Sequence, residues 1–399
     1  MSSTAALPAA RPRMTSGERR ATASLASIYG LRLLGMFVIL PVFALYAEHL
    51  PGGHSPTLIG FALGAYGLTQ AILQIPFGWA SDTWGRKPVI YSGLVIFAAG
   101  SFIAAVAGDL TWVIVGRCLQ GAGAISAAVV ALTADLTRDA VRTTAMAVIG
   151  ITIAATFALS LIVGPVLEGL IGVPGIFALT GALALAAMGV VRLAVPEPKR
   201  TIAPAQAKGQ LGHAVRDPQL LRLNYGTFAL HAVLMALFTQ VPFALRDNGL
   251  AGAHHWWVYL PVLVLSIIFM LPFLRRIDRP GQAKPAMVGA IAILLAGTAG
   301  TAFALHSIVA LAVALTVFFA ALNLLEALLP SLVSKYASVE GRGAAIGINS
   351  SAQFLGAFVG ATAGGWLAEH ASNTAVFAFC LALMAVWLVA AATMAHPTR

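Results

Sequence analysis

The sequence predicts an all-α integral membrane protein, with twelve transmembrane helices in two six-helix bundles and both termini in the cytoplasm. First, 59% of its 399 residues are hydrophobic and only 10% are charged, far below the roughly 25% of charged residues in a typical soluble domain. Second, apolar segments of about 20 residues, the length that crosses a bilayer as one helix, recur along the chain. Third, these segments are continuously apolar, which favours helices over the alternating strands of a β-barrel.

Twelve apolar segments follow one another, and we call them spans 1 to 12. They cover residues 22–47, 57–80, 88–107, 111–134, 143–168, 174–194, 219–245, 255–277, 284–305, 308–334, 342–368 and 372–394. Turn-forming sequences separate them. The predicted regions are an N-terminal cytoplasmic segment (1–21), a first bundle (22–194), a cytoplasmic linker (195–218), a second bundle (219–394) and a C-terminal tail (395–399).

The basic residues indicate the orientation of the spans. With both termini inside, nearly all of the 24 Lys and Arg residues fall in cytoplasmic segments, as the positive-inside rule requires. Arg246 lies in an outer loop, and Arg32 and Arg117 lie within spans. The net charge of +10 therefore reflects topology and faces anionic lipid of the bilayer. No basic groove with interleaved aromatic residues indicates a nucleic-acid partner.

The order of six spans, a linker and six more spans suggests an internal duplication. Asp82-x-x-Gly85 follows span 2, and Asp278-x-x-Gly281 follows span 8, at the matching loop of each half. This local repeat supports two related bundles, as in many polytopic membrane proteins.

The loop FGWASDTWGRKP at 77–88 joins spans 2 and 3 and concentrates charge in a chain that has little of it. Gly78 allows span 2 to approach another helix closely. Gly85 permits a tight turn, and Pro88 suits the first turn of span 3. The loop is therefore predicted to have a defined structure.

Charged residues of this loop form a candidate cluster at the membrane surface. Asp82 is placed to accept hydrogen bonds from the N-terminus of a neighbouring helix, where the helix dipole favours negative charge. Arg86 can bind a carboxylate through two hydrogen bonds, and Asp135 at the inner end of span 4 is the nearest plausible partner. An ordinary cytoplasmic loop explains Arg86 and Lys87, but not the aspartate or the glycine spacing.

Three stretches resemble motifs of one transporter family. GWASDTWGRK at 78–87 resembles the signature loop of the major facilitator superfamily. LGMFVILPVF at 34–43 resembles the helix 1 motif of its 12-helix drug:proton antiporter branch, and IVGRCLQGAGA at 114–124 resembles the helix 4 motif around an arginine, here Arg117. The resemblance implies the major facilitator fold, in which two bundles rock about a central cavity that opens to one side at a time.

A fourth stretch, GITIAATFALSLIVGPVLEG at 150–169, resembles the antiporter motif of helix 5. Gly164, Pro165 and Gly169 occupy motif positions, whereas Glu168 stands where many members have glycine. The residues also have a mechanical explanation, because a Gly-Pro pair kinks a helix and allows tight packing.

Two further stretches, ALNLLEALLPSL at 321–332 and NSSAQFLG at 349–356, are similar to YajR-like transporters, and this similarity extends over nearly the whole chain. Those transporters usually carry a small cytoplasmic domain after helix 12. This sequence ends at Arg399, so we expect that domain to be absent or removed. The resemblance implies a conformational latch that closes the cytoplasmic face, formed by Gly78, Asp82, Gly85, Arg86, Lys87 and Asp135.

Four ionisable groups lie inside the spans: Arg32, Arg117, His231 and Glu326. Such groups are expensive in a bilayer and are functional candidates by default. Glu326 is the best candidate proton carrier, and His231 is either a second carrier or a static hydrogen-bond partner. Arg32 is expected to pair with a substrate anion or with Glu326, or to be structural. The resemblance links the counterpart of Arg117 to proton transfer.

Eight further residues are candidates for the wall of a substrate cavity: Phe37, Tyr66, Gln70, Gln120, Phe238, Asn323, Asn349 and Gln353. The polar ones are equally compatible with hydrogen bonds between helices, and the aromatic ones with core packing. An apolar cavity with few fixed charges suits hydrophobic or amphipathic compounds better than sugars or phosphates.

The leading hypothesis is a proton-coupled secondary transporter, a monomer in the cell (inner) membrane that exports hydrophobic or amphipathic drugs or metabolites. A proton-linked sugar or small-metabolite carrier is the second hypothesis, and a receptor without turnover is the third. An enzyme is not expected, because the chain has no nucleophile elbow, phosphate-binding loop or metal-ligand cluster. We expect protons as the coupling ion, a small-molecule substrate, and neither a cofactor nor a metal.

Overall fold

The structure is a computed structural model of the chain, and it describes residues 14–197, 215–277, 281–338 and 341–395. Within these ranges the secondary structure is helical and contains no β-strand. Residues 198–214, most of the predicted linker, lie outside the described residues, as does Asp278 of the second predicted repeat copy.

Ten stretches of the described residues are long and apolar enough to cross a membrane as helices. One of them, Ala140–Ala194, has 55 residues and contains two helices, because Gly172 has non-helical backbone angles (φ 67°, ψ 170°). The first helix, Ser16–Phe37, is less apolar and adds one more crossing. The prediction of twelve transmembrane helices is thus confirmed.

The observed helices follow the order of the predicted spans. In the N-terminal half they are Ser16–Phe37 and Phe43–Glu48 (span 1), Pro56–Trp84 (span 2), Arg86–Ala105 (span 3), Leu110–Ala122 and Ser126–Asp135 (span 4) and Asp139–Ala194 (spans 5 and 6). In the C-terminal half they are Pro218–Phe238 and Val241–Asp247 (span 7), Trp256–Ile277 (span 8), Ala283–Phe303 (span 9), Ile308–Tyr336 (span 10), Arg342–His370 (span 11) and Asn373–Ala392 (span 12).

Spans 1, 4 and 7, predicted as single helices, are each broken in two. Pro41 cannot donate to the preceding turn, and the Phe37 carbonyl accepts instead from the Leu40 N–H at 3.1 Å. Gly123 ends the first helix of span 4. Pro242 lies in the first turn of the second helix of span 7, where a missing N–H is tolerated. The expectation of continuous helices was wrong because proline and glycine interrupt the hydrogen-bond ladder at these points.

Span 1 begins earlier than predicted, at Ser16, because the preceding residue caps the helix. The Thr15 side chain accepts from the Glu18 N–H, and the Glu18 carboxylate accepts from the Thr15 N–H, which is a capping box. The same carboxylate accepts from Nε of Arg138 at 2.8 Å. This pair fixes the start of span 1 to the start of span 5.

The helix ends define two faces of the bundle. We call the end with residues 84–86 and 136–138 the basic face, and the end with residues 49–55 and 248–255 the opposite face. Span 2 runs from the opposite face to the basic face, and span 11 runs the other way. The charge pattern predicts that the basic face is cytoplasmic.

Spans 2 and 11 join the two halves near the opposite face. A Cβ atom added to Gly60 would lie 2.2 Å from the Ala361 carbonyl oxygen, and one added to Gly67 would lie 2.6 Å from the Phe354 carbonyl oxygen. Any side chain at these two positions would push the helices apart, so glycine is required for this backbone approach.

Polar contacts add to this junction at the opposite face. Arg246 of span 7 donates to the Glu48 carboxylate of span 1 at 2.5 Å. Glu369 of span 11 accepts from Oγ of Ser55 at 2.7 Å and from the Thr57 N–H at 2.9 Å. Glu369 therefore binds the N-terminus of span 2, where the helix dipole favours a carboxylate.

Contacts between the halves reach mid-depth. Phe157 of span 5 and Phe319 of span 10 touch there, with ring centroids 6.2 Å apart. Nearer the basic face, Glu326 keeps 34% of its side chain exposed and Asp82 keeps 41%. We call the space between the two halves the central gap, and we place Glu326 and Asp82 toward its basic-face end because both carboxylates keep exposed surface there.

Span 11 packs equally closely on span 7, and this contact yields a stability prediction. A Cβ atom at Gly360 would lie 2.0 Å from the Ala232 carbonyl oxygen. We expect Gly360→Ala to lower the melting temperature in detergent by several degrees, because such overpacking costs about 1–3 kcal/mol.

Gly347→Ala is the matched control on the same helix, since a Cβ atom there meets no heavy atom within 4 Å. This variant should melt at or slightly above the wild-type temperature, because alanine favours helix over glycine. Equal melting temperatures for the two variants would contradict the backbone contact.

Candidate functional site

Three side chains meet in the C-terminal half at mid-depth, and we call them the imidazole cluster: His231 of span 7, Glu326 of span 10 and Gln353 of span 11. Nε2 of His231 lies 3.0 Å from Oε1 of Glu326 and 2.8 Å from Nε2 of Gln353. The other ring nitrogen, Nδ1, lies 2.9 Å from the Thr227 carbonyl oxygen. His231 is buried, whereas 34% of the Glu326 side chain is exposed.

Close helix packing brings the cluster together. Gly356 and Gly360 of span 11 face the backbone of span 7 without room for a side chain. One turn before Gln353, Asn349 donates to Oδ1 of Asn224 at 3.1 Å and to Oγ1 of Thr227 at 2.8 Å. The structure thus places Asn349, a cavity candidate, in the contact between spans 11 and 7.

Span 10 contributes a second polar residue besides Glu326. Asn323 lies one turn before Glu326 and donates to Oγ of Ser266 on span 8 at 3.1 Å. This cavity candidate therefore also bridges two helices. Glu326 differs from it, because its partner is a titratable side chain and its own side chain is partly exposed.

The N-terminal half holds two buried arginines that both contact one aromatic ring. The guanidinium carbons of Arg32 and Arg117 lie 5.6 Å and 5.3 Å from the centroid of the Tyr66 ring. Both arginines are 2% exposed, and Tyr66 is 1% exposed. A cation over an aromatic face is stabilised by the ring quadrupole, more so where water is excluded.

Neutral groups provide the hydrogen bonds of both arginines. Arg32 donates to Oγ of Ser126 at 3.0 Å and to the Gln70 side chain. Arg117 donates to Oε1 of Gln120 at 3.1 Å and to the Leu63 carbonyl oxygen at 3.2 Å. Among the described residues no carboxylate lies within ion-pair distance of either guanidinium, so the sequence-based option of an Arg32–Glu326 pair is absent from this conformation.

These contacts also locate two further cavity candidates. Gln70 continues the Arg32 network by donating to Oε1 of Gln74 at 2.7 Å. Gln120 donates to Oγ of Ser101 on span 3 at 2.8 Å. Both glutamines are fully buried, so in this conformation they bind arginines rather than line the central gap.

The loop between spans 2 and 3 has the predicted ion pair. Nε of Arg86 donates to Oδ2 of Asp135 at 3.0 Å. The Nη1 group donates to Oγ of Ser81 at 2.9 Å and also to Asp82. Gly85 has φ 103°, a backbone conformation that favours glycine, so the turn explanation of this residue is consistent with the structure.

Two other loop residues have different surroundings from those expected. Lys87 binds Oε1 of Glu197, just after span 6, at 2.8 Å. A Cβ atom at Gly78 would lie 3.5 Å from Cβ of Ala127, which is an ordinary contact. The close helix approach expected at Gly78 is therefore not a requirement of this conformation.

The motif of span 5 packs against the broken part of span 1. A Cβ atom at Gly164 would lie 2.4 Å from the Val38 carbonyl oxygen, and one at Gly169 would lie 2.9 Å from Cβ of Ala253. Pro165 is buried within a continuous helix, and the non-helical angles occur later, at Gly172. The two glycines thus allow the close packing that their sequence indicates.

The aromatic cavity candidates pack on other rings. Phe37 meets Phe157 edge to face, with centroids 5.1 Å apart, and Phe157 in turn touches Phe319 across the halves. Phe238 packs on Tyr259 at 6.2 Å. These rings therefore form core and junction contacts in this conformation.

Several partners of the site were missed by sequence reasoning. Ser81, Ser126 and Thr227 each accept or position a hydrogen bond of a candidate residue. Short hydroxyl side chains are common in transmembrane helices and carry no distinguishing pattern. Glu369 had a usable signal, since it is a carboxylate at the end of a span facing the start of another helix.

Comparison with known proteins identifies the family. The model of the Major Facilitator Superfamily matches residues 25–319 and 252–399. The inner membrane transport protein YajR of Escherichia coli K12 is 41% identical over 388 residues, covering 96% of this chain and 85% of that protein. The multidrug resistance protein MdtH of Aeromonas hydrophila is 24% identical over 347 residues, 86% of each chain.

Solved structures agree on the fold. A bacterial homologue of the human lysosomal transporter Spinster, in an inward-facing and occupied conformation, matches with a TM-score of 0.72 at 14% identity, covering 95% of this chain and 96% of that one. The chain belongs to the major facilitator superfamily and is a membrane transporter of that family. Its expected similarity to YajR-like transporters is confirmed.

The contribution of the arginine network to the stability of the protein can be tested. Gln70→Leu removes a buried hydrogen-bond partner of Arg32, and we expect a loss of about 1–3 kcal/mol of stability, seen as a lower melting temperature in detergent. Gln282→Leu, at an exposed position, is the control and should melt near the wild-type temperature. A Gln70 variant as stable as this control would show that the network carries little stability.

Proposed function

We propose that the protein is a proton-coupled antiporter that exports hydrophobic or amphipathic compounds by alternating access. The observation that supports this most is the contact between His231 and Glu326, 3.0 Å apart at mid-depth beside the central gap. Titratable residues facing a cavity inside the membrane are typical of proton pathways. Under this proposal the basic face is cytoplasmic, and the protein resides in the inner membrane.

Glu326 is the proposed proton carrier of this pair. Its carboxyl group is partly exposed to the central gap, so it exchanges protons with the side to which the gap opens. His231 is buried behind it and stabilises either form, as a donor to the carboxylate or an acceptor from the carboxylic acid. Alternating access then moves the proton from one side of the membrane to the other.

The proposed substrate class follows from the surroundings of the gap. The arginines of the N-terminal half are buried among neutral partners, and Glu326 is the charged group that we place at the gap. Such a site favours apolar contacts over fixed ionic recognition. Two relatives support the assignment by name: one is an inner membrane transport protein, and a more distant one is a multidrug resistance protein.

The loop between spans 2 and 3 is proposed to act as a latch in the opposite conformation. Here Asp82 binds Arg86 and is exposed. Gly341, the N-cap residue of span 11, has no side chain that could cap this helix, and its own N–H donates to Oγ of Ser338 at 3.0 Å. If the basic face closes, Asp82 reaches this helix end and accepts its free N–H groups, while Asp135 retains Arg86.

A contact between spans 2 and 11 at the opposite face supports the proposed latch by analogy. There Glu369, at the C-terminal end of span 11, already binds the N-terminus of span 2. Asp82 has the equivalent place, at the C-terminal end of span 2 near the N-terminus of span 11. Each helix thus carries a carboxylate suited to cap its antiparallel neighbour.

Glu326→Gln provides the decisive test of coupling. Purified protein in liposomes with a pH gradient and a trapped pH dye is exposed to lipophilic cations and neutral metabolites. Wild type should move protons when substrate is added, and Glu326→Gln should abolish this movement because an amide carries no exchangeable acidic proton.

The control for this experiment is Asp109→Asn, a carboxylate-to-amide change at the cap of span 4, where asparagine caps equally well. It should retain proton movement. Equal proton flux in Glu326→Gln and wild type would overturn the assignment of Glu326. Binding without any flux, in all proteins and with all compounds, would favour a receptor.

Asp82→Asn tests the latch. It should lower the transport rate roughly tenfold, equivalent to about 1.4 kcal/mol, while substrate affinity stays unchanged because Asp82 lies outside the gap wall. The measurement is initial rate against substrate concentration in liposomes, with Asp109→Asn again as control. A wild-type rate in Asp82→Asn would rule the latch out.

A further inference from the structure

The hydrogen bond at Nδ1 of His231 determines which ring nitrogen can bind an additional proton. Nδ1 lies 2.9 Å from the Thr227 carbonyl oxygen. A carbonyl oxygen only accepts, so Nδ1 carries a hydrogen and donates it. In a neutral imidazole, Nε2 then has a lone pair and no hydrogen. Any additional proton on the ring is therefore found at Nε2.

Nε2 has two neighbours with different requirements. The amide nitrogen of Gln353, 2.8 Å away, only donates and therefore needs a lone pair on Nε2. An ionised Glu326, 3.0 Å away, only accepts and therefore needs a hydrogen on Nε2. The single lone pair of Nε2 accepts one full hydrogen bond, so the amide nitrogen of Gln353 and a protonated Glu326 compete for it, whereas an ionised Glu326 is repelled by it. The amide orientation with its nitrogen toward Nε2 thus corresponds to a neutral imidazole.

We propose that Gln353 is a positioning residue that couples the proton of the His231–Glu326 pair to the packing of span 11. The proposal rests on the proton coupling proposed above. When Nε2 of His231 takes up a proton and donates it to an ionised Glu326, the new N–H also faces the N–H of Gln353. The amide must then rotate to present its oxygen, or span 11 must shift.

The position of Gln353 in span 11 makes such a change consequential. The next residue, Phe354, has its carbonyl oxygen against Gly67 of span 2, where an added Cβ would lie only 2.6 Å away. One turn earlier, Asn349 binds span 7. Gln353 therefore lies between two contacts of span 11. Asn349 binds span 7 of the same half, and Phe354 packs on span 2 of the other half.

Spans 10, 11 and 12 pack against span 7, which carries His231, and each presents a different kind of side chain. Span 10 presents Glu326, and span 11 presents the neutral amides of Gln353 and Asn349. Span 12 packs on span 7 through Trp387, next to Gly226. In the described part of the chain, Glu326 is thus the charged group that contacts the imidazole, and the pH response belongs to the pair.

Spin labels at Thr83 and Gly343, exposed residues near the basic-face ends of spans 2 and 11, report the packing of these helices without any substrate. The two native cysteines are replaced by alanine for this purpose. The interlabel distance in liposomes is measured by pulsed electron resonance as a function of pH. Wild type should change distance with a single midpoint.

Gln353→Met retains the size of the side chain but removes its hydrogen bonds. The unprotonated Nε2 then loses a donor, which favours proton uptake, so the midpoint should move to higher pH by about 0.4–1 unit. Asn349→Leu is the matched control, because it loosens the same helix contact without touching the imidazole. It should alter the distances but leave the midpoint in place.

The outcomes separate this inference from the proposed function. An unchanged midpoint in Gln353→Met, or an equal shift in Asn349→Leu, overturns the role of Gln353 while coupling through Glu326 stands. Absence of any pH response in wild type also overturns it. A pH response that persists in Glu326→Gln overturns the coupling assignment itself.

Discussion

The close backbone packing of span 11 is the constraint on which the rest of the structure depends. Gly60 and Gly67 bring span 2 against one side of this helix, while Gly356 and Gly360 bring it against span 7 on the other. Without a hydrophobic driving force between helices in lipid, such shape-matched contacts provide much of the association energy. Span 11 is thus the element shared by both halves, and whatever shifts it moves the junction between them.

Polar groups inside the membrane are arranged differently in the two halves. The N-terminal half buries Arg32 and Arg117 around Tyr66 with neutral hydrogen-bond partners, which is a fixed network. The C-terminal half places titratable His231 and Glu326 beside the central gap. Under the proposed coupling, the buried arginine network of one half carries structural charge, and the titratable pair of the other half carries mobile charge.

Most of the fold was predictable, because the long apolar segments and the concentration of basic residues on one side of the membrane follow directly from the order of residues along the chain. The turn at Gly85 and the Arg86–Asp135 contact followed from local chemistry as well. The pairing of His231 with Glu326 and Gln353 did not, since it depends on which faces of three distant helices meet. The helix breaks near Pro41 and Gly123 were also missed, because a proline or glycine in an apolar run signals either a bend or a full interruption.

The interrupted spans have a mechanical consequence at the opposite face. The short helices Phe43–Glu48 and Val241–Asp247 are separated from their long partners by a few non-helical residues, and the Arg246–Glu48 pair ties them to each other. Because non-helical residues separate each short helix from its long partner, the two short helices can shift as a pair without displacing the long helices or the buried groups that those helices carry.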